Sequence, residues 1–399
     1  MRTSRRGFLK AASAAPAFGI GQQTPPRPRA TVVHDSSFDP WVEVDAAKLR
    51  HNAAEIHRRA GRPILAVIKN NGYGTGVANV ARALEPLPSI SGFAVVKLHE
   101  AMALRDAGIA KPLLLMGPFG SKELPDLAAR RITPMVYTPI GDELERAAAR
   151  LQRKIPIQIC VDTGIGRVGV PHRIAAPFIR DLAARRSVEI AGTMMTFTED
   201  PEFDAEQFRR FEALARELEG GGVTMGRRHA VSSFGLFEHP EAFLDLVRPG
   251  MALYGVYSDQ KFRGTTVLDL QPAVALRARV AYVKKLEPGD SAGYERAYRT
   301  DRPVWVATLP VGHADGLPRS AAKGGRVRIG DALYPIIASV SASHSIVEVG
   351  PEPRVAIGDV ATIFDGRDGS RPEDFALSCN SSVYDLTMHL HADLPRRVI

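Results

Sequence analysis

The chain has 399 residues, of which 45% are hydrophobic and 24% charged; at roughly 150 residues per domain this allows two to three domains and argues against a disordered, collagenous or multi-span membrane protein. The formal net charge is +8, but the first thirty residues hold Arg2, Arg5, Arg6, Lys10, Arg27 and Arg29 with no Asp or Glu, and setting these six aside takes +8 to +2. The rest of the chain lacks the basicity of a nucleic-acid binder, and two cysteines, Cys160 and Cys379, exclude a disulfide scaffold.

Residues 1–30 read as an export leader. Ser4-Arg-Arg-Gly-Phe-Leu-Lys10 precedes a mild Ala-rich run over 11–20, too short to span a bilayer in the mature protein. The paired arginines resemble a bacterial twin-arginine signal, and Pro25, Pro26 and Pro28 form a linker. The expected destination is the periplasm.

Downstream, a helix is expected over 45–60. Apolar runs then recur at 63–69, 90–96, 112–116, 132–137, 155–162, 189–196, 228–232 and 247–254. Amphipathic stretches at 98–107, 122–131, 142–153, 173–186 and 205–219 lie between them. Strands alternating with helices pair in parallel, because each crossover is supplied by a helix. This spacing predicts a (β/α)8 TIM-type barrel over 38–270, with an open doubly wound sheet as the alternative. From 271 to 399 the texture changes to short β-like runs at 274–285, 303–309, 325–329, 332–337, 345–349 and 359–364, separated by Gly, Pro and Asp turns. No long helical period returns before 383–390, so a second, mostly β domain is expected.

The first strand ends in Ala66-Val-Ile-Lys-Asn-Asn-Gly-Tyr-Gly-Thr-Gly76. A lysine there is either a solvated strand end or a functional amine, since enzymes on this barrel place their groups at the C-terminal ends of strands. A desolvated lysine has a depressed pKa and forms Schiff bases with carbonyls. Other strand ends carry Asp162-Thr-Gly-Ile-Gly-Arg-Val-Gly169, Ser232-Ser233 and Arg248-Pro-Gly-Met-Ala-Leu-Tyr-Gly255. Loops after the seventh and eighth strands commonly bind phosphate on this fold. A Schiff-base lysine beside a phosphate pocket suggests pyridoxal 5'-phosphate.

Over nearly all of residues 38–399, these motifs in this order resemble the alanine racemase family of fold-type III pyridoxal-phosphate enzymes. The resemblance implies that Lys69 is the Schiff-base lysine and that Arg167 reaches the cofactor's phenolic oxygen and the substrate carboxylate. It implies that Arg248 faces the pyridine nitrogen, and that Tyr73, Ser233, Gly250, Met251 and Tyr384 surround the phosphate. Gly293-Tyr-Glu-Arg-Ala-Tyr298 is similar to the segment with the family's catalytic tyrosine, which implies Tyr294, donated across a homodimer with shared sites. Leu309-Pro-Val-Gly-His-Ala-Asp-Gly316 is similar to the next family motif. The implied reaction interconverts L- and D-amino acids by two-base α-proton transfer, with Lys69 and Tyr294 as the two groups.

Four departures accompany the likeness. Cys160 stands where relatives carry a lysine that orients the arginine, and is expected either as a packed small hydrophobe or as a thiol near the cofactor. His313 replaces a tyrosine and is expected as a satisfied core histidine in preference to a new acid–base group. Met195 replaces a histidine that stacks on the cofactor ring, so apolar ring packing is expected from it. Ser341-Ala-Ser-His344 replaces a segment with an acidic residue; Ala342 still offers its backbone N–H to the substrate carboxylate, in a pocket expected to admit amino acids larger than alanine. A D-amino-acid lyase or aldolase of the same fold type, usually with a metal near the site, and a catalytically impaired cofactor-binding homologue both stay open at this point.

Overall fold

Residues 37–399 are described by a computed structural model; the leader and its linker lie outside the described residues. Seven parallel strands follow one another around a curled sheet: Ile64–Val67, Ile90–Val95, Leu113–Leu115, Ile132–Val136, Ile155–Asp162, Val188–Met194 and Arg227–His229. The helices between them, such as Leu98–Asp106, Gly141–Leu151 and Pro201–Gly220, pack their apolar faces on the outside of that sheet. Asp200 caps the last of these by accepting from the N–H groups of Glu202 and Phe203.

Ring closure differs from the expected eighth strand over 247–254. Leu65 N–H donates to Val247 O and Val67 N–H to Pro249 O, each at 2.9 Å, while Val247 N–H returns to Pro63 O at 3.1 Å. Pro249 has no N–H to continue the ladder, and the chain turns into a 3-10 segment at Met251–Tyr254. The barrel therefore closes through three residues rather than eight.

Alternation along the strands sorts side chains into two populations. Leu65, Val67, Ala94, Leu114, Met135, Cys160, Met194 and Leu246 form a cluster inside the barrel. Their strand neighbours Ile64, Ala66, Phe93, Leu115 and Ile159 face the helices.

The second sheet has nine strands, in the order Tyr282–Leu286, Val304–Leu309, Ser345–Gly350, Ala332–Ile337, Arg326–Ile329, Val360–Phe364, Val274–Arg279, Trp41–Val44 and Arg396–Val398. Trp41–Val44 precedes the barrel in the chain but belongs to this sheet, antiparallel to Val274–Arg279 and parallel to Arg396–Val398. Two short helices absent from or only partly within the sequence expectation, Pro372–Ser378 and Val383–Met388, lead back toward the barrel mouth. Arg396 ties the two parts together, its Nε and one terminal nitrogen donating to Gly74 O at 3.1 and 2.9 Å. Among the described residues no helix is long and apolar enough to cross a membrane.

Candidate active site

The functional side chains stand two positions beyond the barrel-core residues. Lys69 follows Val67, Met116 follows Leu114, Thr196 follows Met194 and Arg248 follows Leu246. The period of two that buries one residue brings the next inward-facing one to the rim, and all four line a cavity of about 390 Å³.

Lys69 opens an unusual turn. Asn70, Asn71, Gly72 and Tyr73 all have left-handed backbone, with φ from 52° to 63°. Such residues cost of order 1 kcal/mol each outside glycine, and local bonds offset this. Glu100, itself buried, accepts from Asn71 N–H at 2.6 Å; Asn71 Oδ1 accepts from Val77 N–H at 3.2 Å; Asn70 reaches Met388 Sδ at 3.2 Å. The turn buries Tyr73 and leaves Lys69 partly desolvated. Burial, assisted by the Arg167 guanidinium and opposed by Glu100, holds the Lys69 amine below the ordinary lysine range.

At the other end, Ser233 Oγ accepts from Gly250 N–H at 3.0 Å and Ala252 N–H at 3.1 Å. Gly250 is the closest approach in the wall: a Cβ there would run into the Tyr73 hydroxyl. Burial raises the Tyr73 phenol well above its usual value, and burial together with Glu199 raises that of Tyr384. Both phenols are therefore neutral hydrogen-bond donors at neutral pH.

Arg248 is buried, and both of its terminal nitrogens are hydrogen-bonded. It donates to Met195 O at 2.9 Å and to His229 Nδ1 at 3.0 Å. Burial, assisted by the Arg167 charge, brings the guanidinium down to about 10, still charged at neutral pH. His229 is buried neutral, pushed well below its usual value by desolvation and by Arg248 and Arg227. Arg167 is exposed at the rim, in the loop whose Gly164 and Gly166 N–H groups are held by Asp162 Oδ1 at 2.8 and 3.2 Å. Among the described residues it has no ion-pair partner.

The described residues match two family descriptions, "Alanine racemase, N-terminal domain" over residues 44–258 and "Alanine racemase, C-terminal domain" over residues 273–398. The chain belongs to the alanine racemase family. It is 32% identical to the alanine racemase of Desulforamulus reducens over 89% of this chain and 98% of that one. It is 31% identical to that of Methanococcus maripaludis, over 89% and 97% respectively. The crystal structure of alanine racemase from D-cycloserine-producing Streptomyces lavendulae superposes with a TM-score of 0.85 at 27% identity, covering 92% of this chain and 98% of that one.

Alanine racemases are pyridoxal 5'-phosphate enzymes, and the residues of this cavity fit that group. One end offers hydroxyls and a glycine cradle suited to a phosphate, the buried wall offers a guanidinium, and the rim offers a partly desolvated amine. The residues expected from sequence divide accordingly. Lys69, Tyr73, Arg167, Ser233, Arg248, Gly250, Met251 and Tyr384 share the cavity wall.

Tyr294 and Ala342 do not. Tyr294 is 77% exposed on the β domain, in a tight turn where Glu295 and Arg296 are left-handed. Ala342 is also exposed, its carbonyl accepting from Ala314 N–H at 2.9 Å. Gly293 packs against Ala338 and Ser339, and His313 N–H donates to Ser341 O at 3.0 Å, so Tyr294, His313 and Ala342 are gathered at one end of that domain.

Two departures read differently in the structure, and a third, Cys160, is packed as one of its two expectations had it. Met195 does not face the cavity: strand alternation turns it outward into the core beside Thr163, and Thr196, next along, lines the wall. His313 is not a core histidine; it is half-buried and its Nε2 accepts from Arg319 at 2.9 Å. Cys160 is a buried barrel-core residue that also borders a second cavity below Lys69. Sequence reasoning missed Thr196, Gln158 and His229, of which Thr196 was within reach of the same count of two from Met194.

Proposed function

We propose that this protein interconverts the L- and D-forms of alanine and of larger amino acids, with pyridoxal phosphate held through Lys69, and that Lys69 and Tyr294 of a second copy serve the two faces of the α-carbon, one removing a proton and the other supplying one. When bound, the cofactor draws electron density from the substrate α-carbon and so acidifies its proton. Tyr73, Ser233, Tyr384 and the backbone at Gly250 and Met251 would hold the phosphate with neutral donors. Arg248 would stand at the pyridine nitrogen of the bound group; because it carries only donors and keeps its charge, it would hold that nitrogen unprotonated and limit electron withdrawal, which favours return of a proton over elimination. Arg167, unpaired at the rim, takes the substrate carboxylate, and the Ala342 N–H of the second copy adds a further donor.

Inversion requires one group on each face of the α-carbon. The observation that carries the reading is the Lys69 amine, placed at the barrel rim and held below its ordinary range, so that part of its population is neutral and basic. Tyr294 supports the shared site, since an exposed phenol outside its own chain's cavity wall is available to a neighbour. Mixing Lys69→Ala and Tyr294→Phe chains tests this. Each alone should be inactive as a racemase, and co-refolded mixtures should regain activity through the one site that inherits both groups. Mixtures as inactive as their parents would contradict it.

We also infer export of the folded holoenzyme to the periplasm, supported by the paired arginines of the leader. Replacing Arg5 and Arg6 by lysine should retain the protein in the cytoplasmic fraction.

A further inference from the structure

A second cavity, of about 280 Å³, opens off the first, and Lys69 and Arg167 border both. Its walls are the inner layer of the barrel, with Met116, Met135, Cys160 and Met194 beside Val96, and no carboxylate lines it. The Cys160 thiol is pushed up to about 11 by burial, so it stays neutral. Through Pro118, Met135 and Tyr137 this space adjoins a further cavity of about 230 Å³ that reaches Phe119 and Ile140. An apolar cavity of roughly 150 Å³ already holds a benzene-sized group. The space beside the lysine is thus far larger than a methyl group needs.

We propose that this second cavity receives the substrate side chain, and that the enzyme takes amino acids with long, flexible, apolar side chains (methionine, norleucine, leucine) in preference to cationic ones. The inference rests on the racemase reading above. With the substrate carboxylate on Arg167 and the α-carbon beside the Lys69 amine, the third substituent lies at the entrance between those two residues. Only the proton changes faces in racemisation, so carboxylate and side chain keep their places and one side pocket serves both enantiomers. Three thioethers make the walls adaptable, since methionine fills irregular space at little cost. Within the second cavity a lysine or arginine substrate would bury its charged end without a partner, past the positive Arg167, since the carboxylate of Glu143 lines only the further cavity, and buried unpaired charge is strongly disfavoured.

The holoenzyme is assayed for kcat/KM on alanine, methionine, norleucine, leucine, lysine and arginine. Methionine is expected within about tenfold of alanine and at least about tenfold above lysine, the range that one or two side-chain contacts supply. Cys160→Leu and Met135→Phe, each checked for retained cofactor absorbance, should lower the methionine-to-alanine ratio by about ten- to 200-fold. A binding readout accompanies the kinetics: reduced phosphopyridoxyl-methionine should bind cofactor-free protein at least as tightly as phosphopyridoxyl-alanine, and both variants should reverse that order. An enzyme that turns over alanine but not methionine, or variants that load cofactor yet leave both ratios unchanged, would overturn the proposal. Loss of turnover on every amino acid, with the binding order as expected, would overturn the racemase reading and leave the side pocket standing.

Discussion

Arg248 donates to Nδ1 of His229 across 3.0 Å, and His229 accepts there only with its proton on Nε2, where Gln158 Oε1 lies 2.8 Å away. A neutral amide on the strand Ile155–Asp162 thereby sets the tautomer of a buried ring, and the ring sets the direction of a buried guanidinium. Gln158→Leu removes the last acceptor and leaves an imidazole N–H unpaired. The expected cost is about 1–3 kcal/mol of stability, together with weaker cofactor retention, read by thermal unfolding and cofactor titration. An unchanged unfolding temperature with unchanged retention would show that the chain of three is not coupled.

Lys69 reacts with the cofactor aldehyde only as the neutral amine. Burial and Arg167 both hold its pKa down, so at any given pH more of it is neutral than for a free lysine of about 10.4. The rate of cofactor loading into cofactor-free protein should rise with pH and level off below the ordinary lysine range. Arg167→Gln removes a repelling charge and should move that midpoint upward. A midpoint at the free-lysine value in the native protein would contradict the desolvated site.

Gly250 and Tyr73 are matched in shape. A Cβ at position 250 meets the Tyr73 hydroxyl first and the ring carbon bearing it next. Gly250→Ala should therefore cost about 1–3 kcal/mol by overpacking and lower cofactor affinity. Adding Tyr73→Phe should recover part of the stability, because the nearest atom is gone, without restoring the lost phosphate donor. Purely additive losses in the double variant would argue against contact.

The left-handed turn after Lys69 depends on Glu100, which accepts from both Asn71 N–H at 2.6 Å and Lys97 N–H at 3.2 Å. Glu100→Ala leaves two N–H groups unsatisfied and should destabilise the protein by about 2–4 kcal/mol. Hydrogen exchange should then rise at residues 70–76 before it rises in the barrel strands.

Much of this site was legible in the chain. Lys69 and Arg248 announce themselves because a polar residue closing an apolar strand has one place to go on a barrel, its C-terminal rim. Where the reading failed, the cause was physical. Met195 was matched by motif position, whereas the strand's alternation turns it away from the cavity and brings in Thr196. The run at 247–254 is apolar enough for a strand, but Pro249 ends its ladder. Trp41–Val44 and Arg396–Val398 pair across the length of the chain, which no local pattern encodes. Tyr294 could be matched to its turn by motif, yet it stands exposed and outside its own chain's cavity wall.

The central claim is that two groups on opposite faces of the α-carbon divide the work, one removing its proton and the other returning one. The direct test follows deuterium incorporation at the α-carbon of L- and D-alanine in deuterated solvent. The native enzyme should label both enantiomers and equilibrate them. Tyr294→Phe should still exchange one enantiomer at its own face while failing to invert it, and Lys69→Ala should do neither. Equal exchange of both enantiomers by Tyr294→Phe, or racemisation surviving without Lys69, would contradict the account.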